Sequence, residues 1–274
     1  MIYRYFNEEK FDRLQDDFTF LFPIIKSFKG ELEFSLRENY FNLYFRGNSA
    51  AKVIFQQNGK YRILINEKFF PSGIKNDERF THTHSNHYQV IETSSKLLHP
   101  LLQKKNLNEI HSKIKKVNFS EELIFEQMLM TDNADRSDLI LIDRQVTDSN
   151  LKGKMDLLAL KQKQGNKFQF MVLEIKMGNN PELKEKVVHQ LNTYLTYITD
   201  HFEEYKLCYE KNYSQKKILG LIENPPIEKI KIVKDVEGMI IVGGYSSLAK
   251  EKINILKENH PEILTKSGIM LGLG

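Results

Sequence analysis

The sequence has no tryptophan, a single cysteine and no long apolar run among its 274 residues. Because one cysteine cannot form an internal disulfide or anchor a zinc site by itself, a disulfide scaffold is excluded. We interpret this residue, Cys208, as a helix-packing residue. No stretch of 18 apolar residues and no secretory leader is visible, so we expect a protein without a membrane span that resides in the cytoplasm.

Neither sign of charge dominates the chain. It carries 40 basic and 36 acidic residues, a formal net charge of +4. This small excess permits contact with phosphate groups, but it is far below the density of a dedicated basic tail. The hydrophobic content of 41% is sufficient for real cores, and the length admits two ordinary domains or one large one.

The first third of the chain is rich in phenylalanine and tyrosine and has the pattern of a sheet. In "ELEFSLR" (31–37) apolar and polar residues alternate, as in a strand with one wet face. Turns are predicted at Glu38-Asn39 and Asn58-Gly59, and a helical segment near residues 8–22 precedes the strands. We predict a β-rich N-terminal domain at 1–90 and, from its leucine spacing, a lysine-rich helical connection at 91–117.

From residue 118 to 274 the elements follow a clear order. Ser120 is a good N-cap for the helix "EELIFEQMLM". Three strands follow, then a long helix from about residue 181 to 209, and later the strand "GMIIVGG". This order of helix, three strands, helix and strand predicts an α/β (α+β) sandwich.

Two carboxylates are expected to meet across the second and third of these strands. With the turn centred on Gly165, cross-strand neighbours have numbers that sum to 330, and Asp156 and Glu174 satisfy this condition. Opposed carboxylates in an apolar sheet repel each other and lose solvation, and a bound cation removes that conflict. Oxygen ligands of this kind suit Mg²⁺, with Mn²⁺ as a substitute.

Polar residues near the two carboxylates extend this site. Lys176 lies two residues beyond Glu174, on the same side of the strand, and can orient or deprotonate a water or stabilise charge on a phosphate. On the following helix Gln190 and Tyr194 are four residues apart and share a face, from which they can reach a phosphate or the lysine. The metal ion and Lys176 together indicate a site that hydrolyses a phosphodiester.

Three short motifs resemble those of a known family. "GKMD" (153–156), "LEIK" (173–176) and "QLNTY" (190–194) are similar to motifs of the PD-(D/E)XK nuclease superfamily, in its RecB-like variety with a Gln-x-x-x-Tyr motif. Met155 stands where the family name has proline. The resemblance covers about residues 119–244 and implies a restriction-endonuclease-like core that cuts DNA, less often RNA, with Mg²⁺. It also implies metal binding by Asp156 and Glu174, a catalytic Lys176, and positioning roles for Gln190 and Tyr194.

The family's additional helix glutamate has two candidates. Glu122 and Glu126 lie four apart on one face, and Glu121 is a neighbour. We favour Glu122 because it lies at the start of the helix. The alternative explanation is a first-turn glutamate that interacts with the helix dipole.

Weaker candidates and other function classes stay open. His82, His84 and His87 have a spacing found among zinc ligands, but a polar loop is the simpler interpretation, and "GGYSS" (243–247) is best explained as a turn.

The leading hypothesis is a Mg²⁺-dependent DNA nuclease whose N-terminal domain recognises the substrate, a protein partner or a second copy. The alternatives are an inactive nucleic-acid-binding or assembly protein on the same fold and, with lower weight, a non-nuclease metal enzyme.

Overall fold

A computed structural model describes residues 2–117, 121–183, 185–243, 247–261 and 267–271. The chain divides into two compact units. The N-terminal unit contains Tyr3–Phe119 and Gln215–Leu221, and the C-terminal unit contains Met1–Ile2, Ser120–Ser214 and Ile222–Gly274. Each unit has its own sheet, so the fold is of the mixed α/β class that the sequence predicts. Within these ranges, no helix has the length and apolar character needed to span a membrane.

The N-terminal unit is built around a six-stranded antiparallel sheet with the strand order β1-β2-β3-β4-β6-β5. Leu32, Phe34 and Leu36 of its first strand are buried in the core as predicted, but the opposite face is not wet, because Ser35 and Arg37 are buried as well. The strands are β1 (Leu32–Leu36), β2 (Tyr40–Phe45), β3 (Asn48–Phe55), β4 (Tyr61–Asn66), β5 (His82–Ser85) and β6 (Tyr88–Thr93). The helices are α1 (Glu8–Asp17), α2 (Leu21–Ser27), α3 (Ser72–Lys75), α4 (Leu98–Leu102) and α5 (Lys104–Ile114).

Both predicted turns join antiparallel strands. At Glu38-Asn39, the Arg37 N–H donates to the carbonyl of Tyr40 at 2.9 Å and closes the hairpin of β1 and β2. At the turn between β3 and β4, Gly59 has a φ of +73°, while the Asn58 side chain accepts from the Lys60 N–H at 3.1 Å. Glycine therefore supplies the left-handed residue of this turn, and asparagine supplies a side-chain hydrogen bond.

The segment at 91–117 is helical over α4 and α5, and its apolar residues are part of the N-terminal core. Leu98, Leu101, Leu107 and Ile110 are buried there. The helical spacing of these leucines creates an apolar face that needs a partner, and the sheet supplies it. This packing makes the segment part of the N-terminal unit.

The C-terminal unit confirms the predicted order of helix, three strands, helix and strand. Strands β7, β8 and β9 are antiparallel, β10 runs parallel to β9, and β11 runs parallel to β10. The structure adds two helices and an edge strand to the expected set. The elements are α6 (Glu121–Asp132), β7 (Leu139–Val146), β8 (Met155–Gln164), β9 (Lys167–Met177), α7 (Lys186–Asp200), α8 (Phe202–Ile218), β10 (Lys231–Gly243), α9 (Ser247–Asn259) and β11 (Ser267–Leu271).

The prediction of one long helix over residues 181–209 is wrong. Helix α7 ends at Asp200, and His201 has the non-helical angles φ −106° and ψ 27°. After this break Phe202, Tyr205 and Tyr209 of α8 pack against Phe170 of β9. Cys208 is buried in α8. No glycine or proline marks the break in the sequence.

The histidine segment also differs from expectation, since His82–Ser85 forms strand β5 and not a loop. Thr83 pairs with Val90 and His84 with Gln89 of β6. This pairing satisfies the backbone of the segment and gives it a regular conformation. The predicted N-cap, Ser120, lies outside the described residues, as do residues 244–246 of the predicted "GGYSS" turn.

Candidate active site

Strands β8 and β9 bring the two predicted carboxylates together. Leu157 is opposite Leu173 and Leu158 is opposite Val172, so paired numbers sum to 330 here as predicted, although Gln164 and Lys167 at the turn sum to 331 and a register shift follows them. One residue further along, the Ile175 N–H donates to Oδ2 of Asp156 at 2.8 Å. Glu174 is therefore on the strand segment that faces Asp156, at the end of the sheet where β8 begins.

The strand period places Glu174 and Lys176 of β9 on one face and Leu173 and Ile175 on the other, as the sequence predicts. Leu173 and Ile175 lie in an apolar cluster with Leu157 and with Leu129 of α6. Glu174 and Lys176 point to the other face, and both are buried, with exposed fractions of 1% and 6%. A buried charged pair on an otherwise apolar strand requires compensation from its surroundings.

Part of that compensation is the contact between Lys176 and two carboxylates. Its Nζ donates to Oε1 of Glu174 at 2.8 Å and lies 3.5 Å from Oε2 of Glu182. Glu182 follows β9 in a short 3₁₀ turn and also pairs with Lys186. Lys176 is thus held between a strand carboxylate and a loop carboxylate.

Negative charge outweighs positive charge at this site. Burial raises the pKa of the Glu174 carboxyl to about 8, and the neighbouring Asp156 carboxylate adds to the rise. Burial also raises the pKa of Asp156, and Glu122 adds to it. Although burial lowers the pKa of Lys176, the carboxylates of Glu174 and Asp156 outweigh that effect and raise it above its ordinary value. These carboxylates therefore favour any additional cation.

The donor set fits a divalent cation with oxygen ligands. Oε2 of Glu174 is buried and has no hydrogen-bond partner among the described residues. No three side chains of His, Cys, Asp or Glu in the described ranges form a group that could hold a metal ion by themselves. Proteins commonly bind Mg²⁺ through one or two carboxylates together with water and phosphate oxygens, and Asp156 and Glu174 are carboxylates that could hold such an ion.

Helix α7 contributes the two remaining predicted residues. Tyr194 is buried, and its hydroxyl donates to the Lys154 carbonyl at 3.2 Å and accepts from the Lys154 N–H at 3.3 Å. Gln190 lies one turn earlier, and its Oε1 is buried without a hydrogen-bond partner in the described part of the chain. Tyr194 thus contacts the backbone just before Asp156, and Gln190 has a free acceptor.

Gly153 explains how this tyrosine fits. Its φ is +107°, and a Cβ at this position would lie 2.7 Å from the Tyr194 hydroxyl. Both the backbone conformation and the close approach therefore require glycine. The "GKMD" motif owes its first residue to this contact.

The two helix glutamates have different partners. Oε1 of Glu122 accepts from the Asn180 side chain at 2.7 Å and from the Met177 N–H at 3.4 Å, beside the end of β9. Glu126 is buried in an ion pair with Arg144, at 2.8 Å. Burial, with a contribution from the Asp156 carboxylate, raises the pKa of Glu126 to about 7, so both glutamates lie near the site but only Glu122 bonds the end of β9.

Sequence reasoning missed three residues around the loop at 178–180. Asn180 connects Glu122 to the turn that contains Glu182, because its Oδ1 accepts from the Glu182 N–H at 2.9 Å. Lys252 of α9 donates to the carbonyls of the same loop. A buried lysine within an apolar helix stripe is a signal that could have identified Lys252.

The histidines near β5 lie in the N-terminal unit and contact an acidic residue. His84 and His87 each pair with Glu67, at 2.5 and 3.3 Å. All three side chains are at least one-third exposed, so this is a surface ion pair of small energetic weight.

No protein-family model matches the chain, and no curated protein matches it. A solved structure similar to it is the EndoMS–dsDNA2 complex, with 8% sequence identity and a TM-score of 0.29. The match covers 89% of this chain and 78% of that one. At so low a TM-score the likeness carries no argument about this chain.

Proposed function

We propose that the chain is a metal-dependent nuclease that hydrolyses phosphodiester bonds of DNA. The observation that carries this proposal is the pair of carboxylates on neighbouring strands, a half-buried Asp156 and a buried Glu174, with the buried Lys176 beside Glu174. The order of helix and strands around the pair and the three motifs support it. RNA carries the same phosphodiester and is a second possible substrate.

Each residue then has a specific task. Asp156 and Glu174 hold the metal ion, and the buried free oxygen of Glu174 supports that role. Lys176, as an ammonium, donates to a phosphate oxygen and stabilises the charge that develops there. Glu122 orients the end of β9 through the Met177 N–H.

Helix α7 would position the substrate and the strand. Gln190 offers a buried, unpaired acceptor, Oε1, for an attacking water, and its side-chain N–H groups can donate to a phosphate oxygen. Tyr194 fixes the backbone at Lys154 and thereby the position of Asp156. Both tasks concern geometry, on which the rate of an in-line displacement depends strongly.

We propose Mg²⁺ as the metal, with Mn²⁺ as a substitute, because oxygen donors select hard cations. When bound, the ion would supply the Lewis acid that polarises the phosphate and acidifies water. A cytoplasmic location, which the lone cysteine favours, is part of the same proposal.

The N-terminal unit is proposed to recognise the substrate. Basic residues outnumber acidic ones in this unit, and the reverse holds in the C-terminal unit. A basic unit favours the phosphate backbone of a nucleic acid. Alternatively, this unit binds a protein partner or a second copy of the chain.

A cleavage assay tests the proposal. Supercoiled plasmid, single-stranded DNA and RNA are incubated with the full chain in Mg²⁺, in Mn²⁺ and in EDTA. We expect cleavage only with metal, and a loss of at least about 100-fold in Asp156→Asn. Asp132→Asn, an exposed carboxylate on α6, is the matched control and should retain activity.

Two outcomes would count against a nuclease. Equal activity of Asp156→Asn and wild type would show that this site does not cleave. Metal-independent binding of DNA without any cleavage would favour the nucleic-acid-binding alternative.

A further inference from the structure

Lys252 lies in a position where an apolar residue is expected. The buried face of α9 contains Ala249, Lys252, Ile253 and Leu256, which follow the i, i+3, i+4, i+7 spacing of a core-facing stripe. Lys252 is only 8% exposed. A lysine in such a stripe costs desolvation free energy unless its ammonium finds partners.

The partners of Lys252 are three consecutive carbonyls. Its Nζ donates to Gly178 at 3.3 Å, to Asn179 at 2.9 Å and to Asn180 at 3.0 Å. A lysine ammonium has three N–H donors, so all of its donors are used on one loop. These three carbonyl oxygens replace the water that the ammonium loses on burial.

The loop at 178–180 is connected to both sides of the candidate active site. Asn180 donates to Glu122 at 2.7 Å and accepts from the Glu182 N–H at 2.9 Å. Glu182 in turn lies 3.5 Å from Nζ of Lys176. A shift of the loop would therefore move Glu122 and also Glu182, which is the partner of Lys176.

We infer that Lys252 is a positioning residue, which anchors the loop at 178–180 and through it sets the places of Glu122 and Lys176. This inference rests on the proposed nuclease function for its effect on catalysis. The anchoring itself does not depend on that function, since it is a property of the loop in the metal-free protein.

Hydrogen exchange of the full chain without metal tests the anchoring. The Gly178 N–H donates to Gly243 at 2.8 Å and the Asn180 N–H donates to Met177 at 2.8 Å, so both amides report on the loop. We expect Lys252→Met to speed their exchange by about 10-fold or more, because the loop opens locally. Lys257→Met, which replaces an exposed lysine of the same helix, should leave it unchanged.

Steady-state kinetics test the consequence for catalysis. Lys252→Met should lower kcat by about 10- to 100-fold with little change in KM for DNA, since displacement of reacting groups slows chemistry more than binding. Lys257→Met should match wild type. A variant that is merely less stable would lose activity only in proportion to its folded fraction, measured by circular dichroism.

The outcomes separate the two proposals. Unchanged exchange at Gly178 and Asn180 in Lys252→Met overturns the anchoring, and faster exchange with unchanged kcat overturns the catalytic role. If the wild-type protein is inactive, the nuclease proposal is wrong. Hydrogen exchange at Gly178 and Asn180 then still tests whether Lys252 anchors the loop. If Lys252→Met does not fold, Lys252→Ala with added propylammonium is used. Restored loop protection supports the inference, and no restoration contradicts it.

Discussion

Two buried charged clusters of the C-terminal unit differ in how their charges are matched. In the first, the balanced cluster, Arg144 pairs with Glu126 at 2.8 Å and donates to Gln127 at 3.1 Å, while Gln145 donates to Glu126 at 2.6 Å. Arg144 and Glu126 are both 2% exposed. Asp143 is a second buried carboxylate beside Arg144, and all four oxygens of the two carboxylates are hydrogen-bonded, so the cluster is balanced in its hydrogen bonds.

The second cluster, the carboxylate site, has a surplus of negative charge. Lys176 contacts Glu174 and Glu182, Asp156 and Glu122 add to the negative potential at its ammonium, and one oxygen of Glu174 has no partner in the described residues. Burial of charge is common to both clusters, so it does not mark a functional site. The two clusters differ in the unpaired oxygen of Glu174, and under the proposed function this oxygen receives a cation.

The largest expected effect comes from breaking the balanced cluster. Arg144→Met leaves Glu126 buried without its cation, and we expect the free energy of unfolding to fall by about 3–5 kcal/mol. Urea denaturation at pH 8 measures it. A loss below about 1 kcal/mol would show that the ion pair is not what stabilises this region.

The carboxylate site should show itself in the pH dependence of stability. Because the pKa of Glu174 is raised to about 8, the folded protein holds a proton that the unfolded chain releases near pH 4.3. The stabilisation that this proton contributes is complete below about pH 4.3 and is lost as the pH rises toward 8.

Replacing this carboxyl should flatten the pH profile. In EDTA, between about pH 5.5 and 7, we expect the unfolding free energy of wild type to fall by about 2 kcal/mol more than that of Glu174→Gln. Burial also raises the pKa of Glu126, to about 7, so the variant keeps a residual fall of the same sign. Parallel profiles of wild type and Glu174→Gln would contradict the surplus of charge.

The smallest effect concerns the tyrosine contact beside Asp156. Gly153→Ala and Gly165→Ala both place a side chain at positive φ, which costs about 1 kcal/mol of stability. At Gly153 the new Cβ also meets the Tyr194 hydroxyl, whereas nothing lies within 4 Å at Gly165. Only Gly153→Ala should therefore lower kcat, by about 10-fold. Equal kcat values in a cleavage assay would refute this role of Tyr194.

Local rules predicted the centre of the site only in part. The buried face of β9 was predicted correctly, but the turn does not set the register: Gln164 pairs with Lys167, numbers that sum to 331, and a register shift between Gln162 and Gln164 restores the sum of 330. The same rules misplaced no strand of the predicted core.

Features that depend on packing between distant segments were not visible. The β7 register shifts between Leu141 and Asp143, and this bulge precedes the buried Arg144. No glycine in the strand marks it. The hydrogen bonds of Lys252 require α9 to lie against a loop more than 70 residues earlier in the chain, and such a contact depends on tertiary structure.

Titration with Mn²⁺ tests the difference between the clusters most directly. Isothermal titration calorimetry of the full chain at pH 8 should show binding that Asp156→Asn and Glu174→Gln weaken at least about 10-fold. Glu126→Gln, in the balanced cluster, should bind Mn²⁺ as wild type does. Wild-type affinity in Asp156→Asn, or an equal loss in Glu126→Gln, would contradict the assignment of the metal to the carboxylate site.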